Sequence, residues 1–190
     1  MVTKKGFIEA LRKLLDEGIK FTVIGDTAIS LSLGLNDLGE DIDLFIESPS
    51  IIEKESFYQD FAENNSCIYG QTWLNTPKLT CIIDGEEILI DFYDNIYDFY
   101  VPESFIKNSQ KIELDSLKIK MISPEEYIAL KAYSGKDEDM EKLKYISNLI
   151  KKKRLKINKE KLMKAIEEIG DQRTILRRLK TIDILGEDNI

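Results

Sequence analysis

Residues 21–46 read FTVIGDTAISLSLGLNDLGEDIDLFI, and the fold turns on how this stretch is parsed. An apolar run, 21–24, leads into Gly25-Asp26. Apolar positions at Ala28, Ile29, Leu31 and Leu33 then recur at helical spacing until Gly34. A polar loop follows, and a second apolar run opens with Asp41-Ile42-Asp43. The order is therefore strand, tight turn, short helix, loop, strand. Successive side chains of a strand point to opposite faces, so Asp41 and Asp43 share one face while Ile42 and Leu44 share the other. Two carboxylates held this close repel unless a cation lies between them. Oxygen ligands of this kind suit Mg²⁺, which takes one or two protein carboxylates and completes its shell with water and substrate phosphates.

Working outward, Phe7, Ile8, Leu11, Leu14 and Leu15 predict an amphipathic helix over residues 4–17, closed by Gly18. On the other side, Ile51, Ile52, Phe57 and Phe61 predict a helix ending near Asn64-Asn65, with a weak strand at 67–69. Asp84-Gly85 between the apolar runs 79–83 and 87–92 is a tight hairpin signal. The second arm, Ile88-Leu89-Ile90-Asp91-Phe92, sets one carboxylate in an otherwise apolar strand. Asp91 is either the third acid of a site or an edge-strand residue facing water, with Asp94 the substitute in a shifted register. Tyr93, Tyr97, Phe99 and Tyr100 form an aromatic cluster that reads as core rather than as a base platform. A second hairpin spans 111–114 and 117–121. Ser123-Pro124-Glu125-Glu126 starts a helix with Ser as the N-cap and Pro in the first turn. Further helices are predicted over 141–150, 159–169 and 172–185. The pattern is α+β.

Composition narrows the chemistry. The 190 residues contain no histidine, which removes Ser-His and Cys-His catalysis and the usual zinc sites. Carboxylates remain as the reactive groups. Cys67 and Cys81 are too few for a disulfide framework and read as reduced, partly buried thiols. No apolar run approaches the roughly 20 residues of a membrane span. The basic start, Met1 to Gly6, has no long apolar region after it, so the expected address is the cytoplasm with no membrane partner. Net charge is −8, unevenly spread. Residues 1–141 hold 13 basic and 28 acidic side chains, whereas residues 142–180 hold 14 basic and four acidic ones. The basic end either contacts a polyanion or packs on the acidic body of its own chain or a partner subunit. Asp26, directly after Gly25, is expected to cap the short helix by accepting N–H groups of Ala28 or Ile29. It could otherwise help hold a second cation or orient a substrate hydroxyl.

Gly25, Ala28, Leu31 and Asp41-Ile42-Asp43-Leu44 together resemble the core of the nucleotidyltransferase superfamily, with its DNA polymerase beta-like fold. Among its members the small uncharacterised proteins and the AbiEii-like branch of toxin-antitoxin systems are the most similar. Residues 122–143, ISPEEYIALKAYSGKDEDMEKL, also resemble the superfamily, through Pro-Glu, an inward Lys131, and Lys136-Asp137 with Asp139. The resemblance implies a mixed sheet flanked by helices over residues 1–122 and a basic C-terminal helical region, 123–190, packed on it. It implies Asp41, Asp43 and Asp91 as catalytic ligands of Mg²⁺ or Mn²⁺, with Gly25, Asp26, Thr27 and Lys131 against the nucleotide. It further implies transfer of a nucleoside monophosphate from an NTP to an RNA (tRNA-like) or protein hydroxyl. RNA would meet the basic helices, and a protein partner or homodimer is compatible with the pattern. Asp137 and Asp139 have one residue fewer between them than the superfamily's acids usually do, and two further features depart from the pattern. Asp26 stands where the superfamily places Gly or Ser, and Asn36-Asp37-Leu38-Gly39-Glu40 carries no basic residue. These departures point to the alternative, a catalytically degenerate, antitoxin-like module that binds a nucleotide or a partner.

Overall fold

In the computed structural model, which describes residues 1–186, Thr3 caps α1 (Lys4–Asp16) by accepting the N–H of Gly6. The helix presses Phe7, Ile8, Leu11 and Leu14 into the core. Gly18, at φ +78°, ends it in the left-handed conformation that glycine tolerates. Strand β1 (Lys20–Val23), helix α2 (Gly25–Ser32) and strand β2 (Asp41–Ser48) follow as the 21–46 pattern requires. Helix α3 (Glu55–Asn64) starts later than expected, because Ile51 and Ile52 lie in a turn after the cis Ser48-Pro49 bond. Then come β3 (Cys67–Gln71), β4 (Pro77–Ile83) and β5 (Glu86–Tyr93), the last two joined by the Asp84-Gly85 turn with both residues at positive φ.

A one-turn helix α4 (Glu103–Lys107), unmarked in the sequence pattern, leads to the hairpin of β6 (Gln110–Leu114) and β7 (Leu117–Met121). Helix α5 (Pro124–Ser134) opens with the expected Ser123 cap, completed by Glu126 reaching back to the Ser123 N–H. Helix α6 (Asp137–Lys151) begins four residues earlier than its apolar pattern does, since its first turn is Asp137, Glu138 and Asp139. Carboxylates there stabilise the helix through its dipole but leave no hydrophobic mark. Helices α7 (Lys159–Ile169) and α8 (Gln172–Thr181) complete the order.

The seven strands form one mixed sheet ordered β3-β4-β5-β2-β1-β7-β6. β2 runs parallel to β5, and β1 runs parallel to β7; the remaining neighbours are antiparallel. Since β5 lies between β4 and β2, Asp91 is not an edge residue. Its Cα partners are Asp43 on one side and Lys78 on the other. One hydrophobic core runs from Val2 to Leu185, with α5 through α8 contributing Ile128, Leu143, Leu162 and Leu179. No helix among the described residues is long and apolar enough to cross a membrane.

Two sequence expectations need correction. Cys67 and Cys81 are not free thiols: they face each other across the β3–β4 ladder, Cα atoms 4.2 Å apart, and are disulfide-bonded. Their partnership was hidden because the β3 pattern is short and weak. The aromatic cluster also divides. Tyr93 is buried and stacks on Phe99 at 4.8 Å, whereas Tyr97 and Tyr100 lie at the surface.

Candidate functional site

The parallel register that pairs Asp43 with Asp91 brings three acids together on one face of the sheet. Carboxylate oxygens of Asp41, Asp43 and Asp91 all lie within 4.8 Å of one another. Asp91 is only 6% exposed. Its Oδ1 lies 2.8 Å from Lys78 Nζ, and its Oδ2 accepts from the Tyr93 hydroxyl at 3.3 Å. Burial pushes the Asp43 carboxyl up to about 7, and the charges of Asp41, Asp91 and Asp26 push in the same direction. Asp41 is likewise raised, first by burial and then by Asp91. A set of hard oxygen donors with too little positive charge fits a divalent cation, and its all-oxygen composition fits Mg²⁺ or Mn²⁺.

The turn between β1 and α2 lies against these acids. Gly25 sits at φ +67°, and a Cβ there would stand 1.9 Å from Asp43 Oδ2. Only glycine fits both the backbone angle and the space. Thr27 is not free to meet a ligand with its side chain. Its buried hydroxyl donates to the Asp41 carbonyl at 3.1 Å, which ties α2 to the start of β2. Its backbone N–H belongs to the first turn of α2, where donors lack intrahelical partners and the dipole favours an anion.

Asp26 does not cap α2. The N-cap is Ile24, and the Asp26 carboxylate turns away toward the C-terminal helices. Tyr127 of α5 donates to its Oδ1 at 2.5 Å, and Lys142 of α6 lies 2.7 Å from its Oδ2. Burial alone would raise the Asp26 carboxyl, but Lys142, Tyr127 and Lys131 outweigh it and hold it below its usual value. Lys131 does point inward, 3.8 Å from Asp26, yet its closest partner is Asp139 at 2.8 Å. It therefore stands at the mouth of the α2 N-terminus, engaged by two acids.

Lys78, Tyr127 and Lys142 belong to this site and sequence reasoning passed over them. Lys78 carried one signal, a lone cation in the apolar strand Pro77–Ile83 opposite Asp91. Tyr127 and Lys142 carried none, because their role arises only when α5 and α6 fold over α2. Asp94 lies outside the acidic cluster.

Comparisons with known proteins bear on this geometry. The family profile described as "Nucleotidyl transferase of unknown function (DUF2204)" matches residues 3–181. No curated protein sequence matches the chain significantly. The crystal structure of an antigenic nucleotidyltransferase-like protein from Paracoccidioides brasiliensis aligns over 95% of this chain and 88% of its own, with 13% identity and a TM-score of 0.55. That degree of likeness speaks for the fold alone. The antibiotic-resistance factor ANT(2'')-Ia aligns over 95% of this chain and 90% of its own, with 13% identity and a TM-score of 0.45. At that score it adds no argument.

Proposed function

We propose, since the chain belongs to the nucleotidyl transferase family of unknown function DUF2204, that it transfers a nucleoside monophosphate from an NTP to an acceptor hydroxyl and releases pyrophosphate. The observation that carries this reading is the convergence of Asp41, Asp43 and Asp91 within 4.8 Å beside the α2 N-terminus. Asp41 and Asp43, with Asp91, would hold Mg²⁺ or Mn²⁺, which when bound offsets charge on the triphosphate and lowers the pKa of the acceptor hydroxyl. Gly25 lets phosphates approach the backbone, and the first-turn N–H groups of α2 supply donors there. Lys131 and Lys142 add positive charge on the same side, and Thr27 fixes Asp41 relative to the phosphate turn. Tyr93 and Lys78 hold the Asp91 carboxylate in place within the cluster.

The acceptor we favour is the hydroxyl of a tRNA-like RNA; a protein hydroxyl is the other class. In this reading residues 1–122 are the transferase core and residues 123–190 a basic helical region packed on it. That region meets RNA through phosphate contacts. We place the protein nearest the AbiEii-like branch on its Asp41-Ile42-Asp43-Leu44 and 122–143 motifs, and in the cytoplasm, where NTPs are supplied.

A second reading has specific support. Asp26 adds a negative charge beside the phosphate turn, and Lys131 is already paired with Asp139. Both favour a binder without turnover, antitoxin-like, with a protein partner or a second copy. The deciding experiment incubates the protein with each labelled NTP, Mg²⁺ or Mn²⁺, and total RNA and protein, beside the double variant Asp41→Asn, Asp43→Asn. Label transfer lost in the variant supports the transferase. Thermal stabilisation by NTP and metal without transfer supports the binder.

A further inference from the structure

We infer that Trp73 and Lys136 form an acceptor subsite that stacks a nucleobase and holds its phosphate on the Asp91 side of the acidic cluster. The inference rests on the transferase reading, and it identifies the acceptor as a nucleotide of an RNA.

Trp73 sits in the loop between β3 and β4, and that loop is pinned. The Thr72 and Thr76 hydroxyls are bonded to each other at 2.7 Å, and Thr72 Oγ1 accepts the Leu74 N–H at 3.1 Å. The Thr72 N–H donates to the Thr76 carbonyl, and Leu74 is buried. This rigid turn nevertheless holds the Trp73 indole 66% exposed. Large apolar rings held out by ordered backbone suit contact with a partner that has a π-face.

Its position gives the ring a side. Gly70, Lys78, Asp91 and Asp43 follow one another across the sheet in register, so the loop 72–76 rises just beyond Asp91. Gly25 and the α2 N-terminus lie on the opposite flank, against Asp43. A triphosphate bound at α2 therefore leaves the Trp73 flank to the acceptor.

Lys136 supplies the second half. It precedes α6 and places its ammonium 4.7 Å from the centroid of the indole. The same helix carries Asp139 and Lys142, which reach Lys131 and Asp26. The contact thus joins the helical wall of the site to the loop wall. An exposed cation–π contact is weaker than base stacking on an aromatic ring. A base stacks on Trp73 while Lys136, released or shifted, pairs with the adjoining phosphate.

Trp73 is the sole tryptophan of the chain, so its fluorescence reads this subsite directly. Titration with AMP in EDTA is expected to give saturable quenching, whereas ribose 5-phosphate gives none. Lys136→Ala is expected to weaken AMP binding roughly tenfold while leaving adenosine binding unchanged. Trp73→Leu is expected to raise the KM for RNA acceptor roughly tenfold at unaltered KM for NTP. Absence of AMP quenching overturns the inference. So does quenching by spermidine but not AMP, which marks a site for organic cations. Quenching that requires Mg²⁺ and NTP and is lost in Asp43→Asn also overturns it, by placing the donor base on the ring. Metal-independent quenching without label transfer from any NTP upholds a base-and-phosphate site at Trp73 and Lys136 but overturns its acceptor role together with the transferase; transfer without quenching overturns the site and leaves the transferase standing.

Discussion

At the scale of single residues, the site is built with almost no spare room. Gly25→Ala drives a Cβ into the Asp43 carboxylate and strains a left-handed backbone. It is expected to cost ~1–2 kcal/mol of stability and to abolish stabilisation by divalent cations, as read by thermal melts with and without Mn²⁺. Asp43 has the opposite signature. Buried among like charges, it opposes folding when ionised. Asp43→Asn is therefore expected to melt higher than the parent in EDTA at pH 8, above the value of about 7 at which the parent carboxyl gains its proton, and to lose activity. Asp26 behaves differently because it is held below its ordinary value by Lys142, Tyr127 and Lys131 despite its burial. A depressed carboxyl contributes stability above the unfolded pKa and loses it as pH falls through the lower folded one. Asp26→Asn is expected to lower the melting temperature at pH 7, with the gap closing below pH 4 in a pH series of melts. The acids themselves were legible from the Asp-x-Asp spacing and the lone acid of Ile88-Leu89-Ile90-Asp91-Phe92. The orientation of Asp26 was not, since a helix-capping residue and an ion-paired one look alike until the distant partner is placed.

At the scale of elements, α8 shows how the basic end is used. Arg178 donates to the carbonyls of Ala132 and Tyr133, the open C-terminus of α5, where Gly135 adopts φ +60°. A Cβ at Gly135 would meet the guanidinium at 2.1 Å. Arg178 therefore closes a helix end rather than waiting for a polyanion. Arg178→Ala is expected to cost ~1–2 kcal/mol, read as a lower denaturation midpoint with the slope unchanged. Elements signalled by local chemistry could be read from sequence: the Asp84-Gly85 turn, and the Ser123 cap with Pro124. Those defined by long-range pairing could not. Nothing local states that β5 lies between β4 and β2, that α6 begins in a run of acids, or that α4 exists.

At the scale of the molecule, residues beyond 122 share one core with those before it. Ile128, Ala129, Leu143 and Ile166 are fully or nearly fully buried. A chain cut after residue 122 is expected to lose cooperative unfolding, checked by calorimetry of the fragment against the whole. The acidic and basic halves of the sequence thus meet in the fold, partly through the Lys142–Asp26 pair. Exposed Lys152, Lys153 and Arg154 remain at the surface after α6. If they meet RNA, affinity falls steeply between low and moderate salt in a binding titration. The disulfide adds a practical consequence. Cys67 and Cys81 bracket a segment containing both Trp73 and Lys78, so the covalent staple holds the indole loop and the lysine beside Asp91 in one closed ring. Reduction with dithiothreitol opens that ring, so the Trp73 fluorescence is expected to differ between batches kept reduced and batches kept in air.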